Sequence, residues 1–245
     1  MTTFTTQDRI EAQREPRIMV ITPTTGKDTV VQAIESVNNQ TVFTEHLVVI
    51  DGAKAAQDMA EIKYDWTRTL TMMLPENVGG NGWYGHRVYA AMPLMVNADY
   101  ILFLDEDNWF EPNHVETMIA KIKSKDLMWS YSLRNIYDER GQYVCPDDCE
   151  ALGRYPTFYD HNLNFVDTNC YCFRREFLVS VAHHFYGQWG ADRMFYKEVA
   201  KALPSFGCTG EATVNYRAPD RLLKMFEEGN EVMKKAYVNL PWRNK

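Results

Sequence analysis

The stretch that decides the fold of this chain is Asp99-Tyr100-Ile101-Leu102-Phe103-Leu104-Asp105-Glu106-Asp107-Asn108. Its centre has four consecutive apolar residues after a tyrosine, which is typical of a strand buried on both faces in a parallel sheet. Three acidic residues follow at the carboxyl end, the edge where open α/β sheets bind ligands. Clustered carboxylates repel one another unless a cation neutralises them, and their hard oxygens suit Mg²⁺ or Mn²⁺. The stretch therefore predicts a metal-dependent ligand site, with a solvated acidic turn as the simpler alternative.

Strands and helices alternate around this central strand. Other predicted strands cover residues 17–22, 46–50 and part of 66–74, and predicted helices cover 28–39, 84–97 and 112–123. This alternation predicts an α/β fold, with a mostly parallel, Rossmann-like central sheet flanked by helices. We expect Pro23 to end the first strand, and residues 54–65 show no clear pattern. The glycine-rich loop over residues 75–82 fits either close approach of the backbone to a phosphate or a simple turn.

The second half of the chain is less regular. Predicted strands cover residues 127–136 and 165–173, predicted helices cover 175–184 and 191–203, and a long loop covers 138–164. The tail over residues 219–240 is amphipathic, and its apolar stripe is expected to pack in the core. The stripe consists of Leu222, Met225, Phe226 and Met233.

Composition limits the class of protein. The 245 residues suit one large α/β domain or two small ones, and 45% apolar with 24% charged residues is ordinary for a soluble globular protein. A net charge of −7 argues against broad nucleic-acid binding. No apolar run approaches a membrane span, the first 16 residues lack a signal core, and five cysteines suit a reducing compartment, so we expect a cytoplasmic protein. The spacing of four cysteines is not a usual zinc pattern: Cys145, Cys149, Cys170 and Cys172.

Four short motifs, in order along the chain, resemble those of GT-A fold, family 2 glycosyltransferases. They are Ile21-Thr22-Pro23-Thr24, Val49-Ile50-Asp51-Gly52, Asn77-Val78-Gly79 and Leu104-Asp105-Glu106-Asp107. The resemblance covers residues 17–120 well and continues more weakly from Asp167-Thr168-Asn169 to Gly190-Ala191-Asp192. It implies metal-dependent transfer of a sugar from a nucleoside-diphosphate sugar, first of all a UDP-sugar, to an acceptor hydroxyl with inversion. It also implies one domain over residues 1–245, with a nucleotide-sugar-binding half (17–125) and an acceptor-binding half (126–245).

The resemblance assigns the donor pocket residue by residue. Thr22 and Pro23 would flank the nucleobase, and Asp51 would hydrogen-bond the base or its ribose. Asn77 and Gly79 would line the nucleotide pocket. The basic residue that follows this loop in the family is matched by Arg87, and Asp105 completes the set.

The same resemblance assigns the metal and the base. Asp105 and Asp107 would bind Mn²⁺ or Mg²⁺, with Asp107 as the direct ligand, and strand alternation would turn Glu106 to the opposite side. Asp192 would remove the proton from the acceptor hydroxyl. Trp189 is a candidate for stacking on an acceptor sugar, or for core packing. A third metal ligand is open among three histidines: His161, His183 and His184.

Some features depart from the family pattern and keep alternatives open. Gly52 stands where a second acid often follows Asp51, the interval from Asn77 to Arg87 is long, and Asp192 lacks a paired acid. Two rival enzyme classes, a haloacid dehalogenase type phosphatase and a nucleotidyltransferase, place their motifs differently along the chain. A non-catalytic nucleotide-sugar or glycan-binding module is the main alternative. The acceptor is open among a polysaccharide, a lipid-linked glycan, a protein, a small molecule and, as a minority possibility, a modified nucleic-acid base.

Overall fold

The computed structural model of this protein describes residues 14–158 and 164–244. Its strands are β1 (Ile18–Thr24), β2 (Glu45–Ile50), β3 (Leu70–Met73), β4 (Tyr100–Phe103), β5 (Trp109–Phe110), β6 (Trp129–Tyr137), β7 (Tyr143–Pro146), β8 (Tyr171–Arg174) and β9 (Gly207–Arg217). Its α-helices are α1 (Val30–Asn38), α2 (Ala53–Glu61), α3 (His86–Met95), α4 (His114–Ser124), α5 (Arg175–Val181), α6 (Ala191–Ala202) and α7 (Asp220–Lys235). Short 3₁₀ helices cover Trp66–Arg68, Thr168–Cys170, Ala182–Phe185 and Pro241–Asn244.

The strands form one sheet in the order β3-β2-β1-β4-β8-β6-β9-β5, and β7 pairs with β6. The first four strands of this order are mutually parallel. Pairing is antiparallel from β4 to β8 and from β8 to β6, and β9 is parallel to β6. Within the described residues, β1, β2, β3, β4, β6 and β9 therefore run in one direction, and β5, β7 and β8 run in the other. The predicted α/β fold with a mostly parallel sheet is confirmed.

The central strand β4 lies between β1 and β8 and is buried as predicted. Ile101, Leu102 and Phe103 have no exposed surface. The Phe103 ring packs against Tyr89 of α3 at 4.8 Å and against Phe185 at 5.4 Å, both between ring centroids. Because β4 is buried and paired with a strand on each edge, its carboxyl end is a rigid base for the acids that follow.

The predicted end of the first strand at Pro23 is wrong, because β1 continues through Pro23 to Thr24. Pairing of β1 with β4 stops at Ile21, whereas its pairing with β2 continues through Pro23 opposite Val49. The Thr24 carbonyl accepts the next bond from the β2 side, from the Asp51 amide at 2.9 Å. The position of the missing N–H of Pro23 therefore faces β4, where the pairing with β1 has already ended. Proline costs no hydrogen bond of the sheet at this position.

Four elements were not predicted from the sequence: α2, the short strands β5 and β7, and the long strand β9. Strand β7 lies inside the predicted loop over residues 138–164, which is wrong there. Helix α2 lies in the region without a clear pattern and buries Ala55 and Met59. β9 contains two glycines and shifts register against β6, so its apolar residues do not alternate regularly. The residue 165–173 strand is also shorter than predicted, since a 3₁₀ turn over Thr168–Cys170 precedes β8.

The amphipathic tail forms α7, as predicted. Phe226 and Met233 are buried in a second apolar cluster with Leu133 and Ile136 of β6. Leu222 and the rest of the stripe pack around this cluster. Within residues 14–158 and 164–244, no helix is long and apolar enough to cross a membrane.

Candidate functional site

The acids after β4 sit in a turn rather than in an extended strand. β4 ends at Phe103, and the Asn108 amide donates to the Asp105 carbonyl at 3.2 Å. The Lys27 ammonium lies 3.4 Å from Glu106 Oε1 and 3.3 Å from Asp107 Oδ2. The prediction that alternation separates Glu106 from Asp107 is therefore wrong, because both side chains meet the same cation.

Asp105 lies inward of this turn and contacts α3 and the 3₁₀ turn before β8. The Tyr89 hydroxyl donates to Asp105 Oδ1 at 2.6 Å, and the Asn169 amide donates to Oδ2 at 2.8 Å. Burial, reinforced by the charges of Asp107 and Asp167, raises the pKa of Asp105 to about 7. The two hydrogen bonds oppose this rise because they favour the ionised form. A nearby cation would bring the carboxylate back to its charged state.

Glu106 holds the loop between β1 and α1. Its buried carboxylate accepts hydrogen bonds from the Thr24 hydroxyl at 2.6 Å, the Thr25 hydroxyl at 2.7 Å and the Thr25 amide at 3.0 Å. The Lys27 amide adds a longer bond at 3.3 Å. No binding role was predicted for Glu106, because its partners lie about eighty positions earlier in the chain.

Asp51 binds the glycine-rich loop directly. Its carboxylate accepts from the Val78 amide at 2.7 Å, the Gly79 amide at 2.8 Å and the Asn77 side chain at 3.2 Å. Asp51 is 4% exposed, so most of its hydrogen-bonding capacity goes to this loop. The structure therefore brings together Asp51, Asn77 and Gly79 at the carboxyl end of β2.

Two glycines let this loop approach β2 closely. Gly52 has φ +96°, and a Cβ there would lie 2.6 Å from the Asn77 amide nitrogen. A Cβ on Gly79 would lie 2.4 Å from the Tyr84 carbonyl oxygen and 2.8 Å from Asp51 Oδ2. The glycine found in place of a second acid after Asp51 thus has a steric cause.

Thr22 and Pro23 lie near the carboxyl end of β1, the strand next to β2. The Thr22 hydroxyl is fully buried and lies 2.8 Å from His46 Nε2 on β2. Burial lowers the pKa of His46 to about 3, so this pair is uncharged. The Thr22 side chain is thus bound inside the sheet, whereas Pro23 is half-buried beside Gly85.

Arg87 lies beside the glycine-rich loop. Its guanidinium donates to the Val78 carbonyl at 3.1 Å and lies 3.8 Å from the centroid of the Trp83 ring. The long interval from Asn77 to Arg87 is spanned by a turn that places Tyr84 at φ 50°. Arg87 therefore supports the loop from the side of α3.

Asp192 lies in the first turn of α6, which begins after Gly190 at φ 87°. The Arg193 amide donates to Asp192 Oδ1 at 2.8 Å. Burial raises the pKa of Asp192, and this effect exceeds the lowering by the Arg193 amide and by the charges of Arg193 and His86. From the sequence, the helix start was expected to favour the ionised form of Asp192. The hydrogen bond from the backbone is present, but burial determines the direction of the pKa shift.

A buried cluster of charged side chains around Arg134 is linked to Asp105 through Asp167 and Asn169. The Arg134 guanidinium on β6 is 2% exposed, donates to Asp147 at 2.8 Å and Glu150 at 2.7 Å, and contacts Asp167. Asp167 in turn accepts from the Asn169 side chain at 2.6 Å. Arg134 was not singled out from the sequence, and Asn169 was quoted only as part of the motif Asp167-Thr168-Asn169, without a role. An arginine inside an otherwise buried strand was the available signal, since such a charge needs partners.

Two of the three histidines proposed as a third metal ligand, His183 and His184, lie side by side. The His183 and His184 rings pack on each other at 4.0 Å, and His184 faces the charge of Glu198. Both line a cavity of about 490 Å³ with Tyr186 and Trp189. His161 is outside the described residues. Across residues 14–158 and 164–244, no three or more His, Cys, Asp or Glu side chains are grouped so as to hold a metal ion.

Trp189 is 79% exposed, so the core-packing alternative for this residue is wrong. Tyr186, which also lines this cavity, is 63% exposed. The cysteines are free thiols, and Cys149, Cys170 and Cys172 are buried.

The structure is an α/β fold with a cluster of acids at the carboxyl ends of parallel strands. A family model described as glycosyl transferase family 2 matches residues 19–200. Because this match covers most of the chain, the protein belongs to that family. A comparison with curated protein sequences finds no match.

Solved structures of S. aureus TarS have a similar fold. The structure of TarS residues 1–349 with UDP aligns with a TM-score of 0.60 at 14% identity, over 82% of this chain and 60% of that one. The same fragment with UDP-GlcNAc gives 0.62 at 14%, over 82% and 58%. TarS itself gives 0.59 at 14%, over 92% and 40%. The present chain thus spans about three fifths of the TarS fragment, and the likeness shows a shared GT-A fold.

Proposed function

We propose that this protein transfers a sugar from a nucleoside-diphosphate sugar to an acceptor hydroxyl. The observation that carries the proposal is the placement of Asp51, Asp105 and Asp107 at the carboxyl ends of β2 and β4, on a family 2 fold. UDP and UDP-GlcNAc in the TarS structures support a uridine nucleotide as the first donor to test. Whether the sugar is a hexose or a pentose is left to that test.

The nucleoside would bind between the end of β1 and the glycine-rich loop. Asp51 fixes this loop through two backbone amides, and Gly79 keeps its backbone close to β2. Pro23 lies beside Gly85, and Arg87 donates to the Val78 carbonyl of the loop at 3.1 Å. Because the Thr22 hydroxyl is bound to His46, we assign Thr22 a contact through its backbone only.

The residues present fit a divalent cation held mainly by Asp107. Mg²⁺ and related ions bind proteins through one or two carboxylates and complete their shell with water and substrate phosphates, so three protein acids are not required. Asp107 is 37% exposed and paired with Lys27, whereas both oxygens of Asp105 accept hydrogen bonds from the protein. Asp107 would therefore bind the ion directly, and Asp105 would support it. When bound, the ion would supply charge stabilisation for the leaving diphosphate.

Asp192 is the proposed general base. Its carboxylate would take the proton of the acceptor hydroxyl while that oxygen bonds to the anomeric carbon and the bond to the diphosphate breaks. A base is most effective when its pKa approaches the working pH, and burial moves the pKa of Asp192 in that direction. One displacement of this kind inverts the anomeric configuration.

The acceptor would bind over the second half of the chain, residues 126–245. The exposed Trp189 and Tyr186 rings near the start of α6 support stacking on an acceptor sugar, because an aromatic face buries apolar surface while the hydroxyls stay hydrogen-bonded. Treating the two halves as one domain, and placing the protein in the cytoplasm, also belong to this proposal.

A screen of nucleotide sugars tests the proposal. Each donor is added with Mn²⁺ or with excess chelator, and the melting temperature and the release of nucleoside diphosphate are measured. A donor at ~100 times its dissociation constant should stabilise the fold by ~2.7 kcal/mol. Stabilisation without release, with every acceptor class supplied, would favour the non-catalytic binding module. Neither stabilisation nor release with any donor would refute the proposal.

A further inference from the structure

Asn169 lies between two carboxylates and is fully buried. Its side-chain nitrogen donates to Asp105 Oδ2 at 2.8 Å and to Asp167 Oδ1 at 2.6 Å. Its side-chain oxygen accepts from the Asp105 backbone amide at 2.5 Å. The side-chain amide of Asn169 thus donates through both N–H groups and accepts through its oxygen. It holds both the backbone and the carboxylate of Asp105.

Asp167 is itself fixed by Arg134. The guanidinium contacts Asp167, Asp147 and Glu150 at once, and all four side chains are buried or nearly so. A buried arginine is tolerated only when its charge is paired, and its planar fork of donors can hold several carboxylates in fixed directions. Arg134 therefore sets the direction of Asp167, and through it the orientation of the Asn169 amide.

Glu150 connects the same arginine to the start of α6. Glu150 accepts one bond from Arg134 at 2.7 Å and another from Arg193 at 3.1 Å. Arg193 follows Asp192 directly, and its guanidinium also packs on the Phe165 ring at 4.0 Å. An unbroken series of contacts thus joins the two proposed active carboxylates: Asp105, Asn169, Asp167, Arg134, Glu150, Arg193 and Asp192.

We propose that Asn169 and Arg134 are positioning residues for glycosyl transfer. Asn169 holds the Asp105 carboxylate at the donor, and Arg134 fixes that amide relative to the helix that carries the base. This inference rests on the proposed function. A purely structural role is the competing account, in which both residues stabilise the fold and leave the turnover of folded protein unchanged.

Two variants of Asn169 separate these accounts. Asn169→Asp keeps the size of the side chain and replaces its donor nitrogen by an acceptor facing two acids, and Asn169→Ala removes the group. Loss of an outer contact to a metal-site residue typically costs ~10–100-fold in metal affinity or activity. We expect both variants to lose about that factor in kcat, with Asp no better than Ala. Calorimetry with Mn²⁺ and UDP, without acceptor, should show a weaker complex in both.

Asn215 supplies the matched control. It is a buried asparagine, 1% exposed, whose amide contacts Glu111 and Asn135 and lies outside the series above. Asn215→Asp and Asn215→Ala should lower the melting temperature as the Asn169 variants do, with kcat per folded molecule near that of the unchanged protein.

Arg134→Lys tests the second residue while keeping one positive charge among the three acids. One ammonium cannot hold three carboxylates in fixed directions, so kcat should fall and the complex with Mn²⁺ and UDP should weaken, as in the Asn169 variants. Combined with Asn169→Ala, the loss should be smaller than the product of the two single losses, because both act through the same contacts.

Near-normal kcat in Asn169→Asp, with normal binding of Mn²⁺ and UDP, would overturn the inference and leave the proposed function intact. Fully multiplicative losses in the double variant would refute the link through Arg134. If the unchanged protein releases no nucleoside diphosphate from any donor, the proposed function fails, and the inference fails with it. These outcomes are distinguishable because the unchanged protein is measured first.

Discussion

At the scale of single residues, Asp192 combines partial exposure with a raised pKa. Asp192→Asn keeps the shape of the side chain and removes the proposed base, so transfer should fall by ~10²-fold or more. Donor and metal binding should stay nearly unchanged, because the acids after β4 are intact. Transfer kinetics and calorimetry with Mn²⁺ and UDP measure the two effects. A variant that retains half of the transfer rate would remove Asp192 from the base role.

The pH dependence of transfer gives a second test of Asp192. Its folded pKa lies above the ordinary value of 3.8, so the ionised base is lost as the pH falls through that raised pKa. The acid limb of kcat/KM should therefore lie above pH 3.8. The charge of His86 lowers this pKa, so His86→Gln should shift the limb to higher pH. A shift in the opposite direction would contradict this assignment.

Asp51 acts through the loop that it binds. Asp51→Ala leaves the Val78 and Gly79 amides without their acceptor, so the donor dissociation constant should rise while metal dependence remains. Asp65 gives a control, because it also accepts from a backbone amide, that of Thr67, on an exposed turn. Asp65→Ala should leave donor affinity unchanged. Equal donor affinity in Asp51→Ala would require the pocket to lie elsewhere.

At the scale of elements, the loop between β1 and α1 depends on Glu106. Glu106→Ala leaves the proton of the buried Thr24 hydroxyl and the Thr25 amide without an acceptor, and an unsatisfied buried donor costs about 1–3 kcal/mol. Urea unfolding should show a loss of that size. Glu228→Ala on the exposed face of α7 is the control and should change stability by less than about 0.5 kcal/mol. Equal midpoints for the two variants would mean that Glu106 does not hold this loop.

The elements that the sequence predicted are those with a strong local pattern. β4 was predictable because a short run of four apolar residues is typical of a buried strand. α7 was predictable because its apolar residues recur at helical spacing. β9 was not, since its glycines and register shifts break the alternation. Helix α2 buries only Ala55 and Met59, which is too little to produce a clear periodicity.

The same limit applies to the site. Asp51, Asp105 and Asp107 could be placed because each follows an apolar strand, and strand ends meet at one edge of the sheet. Asn169 and Arg134 could not be placed, because Asn169 meets Asp105 across 64 positions and Arg134 meets Asp167 across 33. Contacts of this range follow from the antiparallel pairing of β8 with β4 and β6, which no local pattern shows.

At the scale of the whole molecule, one sheet carries both proposed halves of the reaction. The acids proposed for the donor site follow β2 and β4, and Arg134 on β6 is linked through Glu150 and Arg193 to the start of α6, which carries the proposed base. If Asp192 acts from the face opposite to the leaving diphosphate, the product must have the inverted anomeric configuration. NMR of the anomeric proton in the product measures this directly. Retention would require a different nucleophile and would remove the single-displacement mechanism.

The most direct test of the central claim is the release of nucleoside diphosphate by three forms of the protein, each with and without Mn²⁺. The forms are the unchanged chain, Asp107→Asn and Asp58→Asn. Asp58 is the matched control, since it is 38% exposed and paired with Lys54 just as Asp107 is 37% exposed and paired with Lys27. We expect metal-dependent release from the unchanged chain and Asp58→Asn, and none from Asp107→Asn although it stays folded. Full release in excess chelator, or undiminished release from Asp107→Asn, would contradict a metal-dependent glycosyltransferase site at the end of β4.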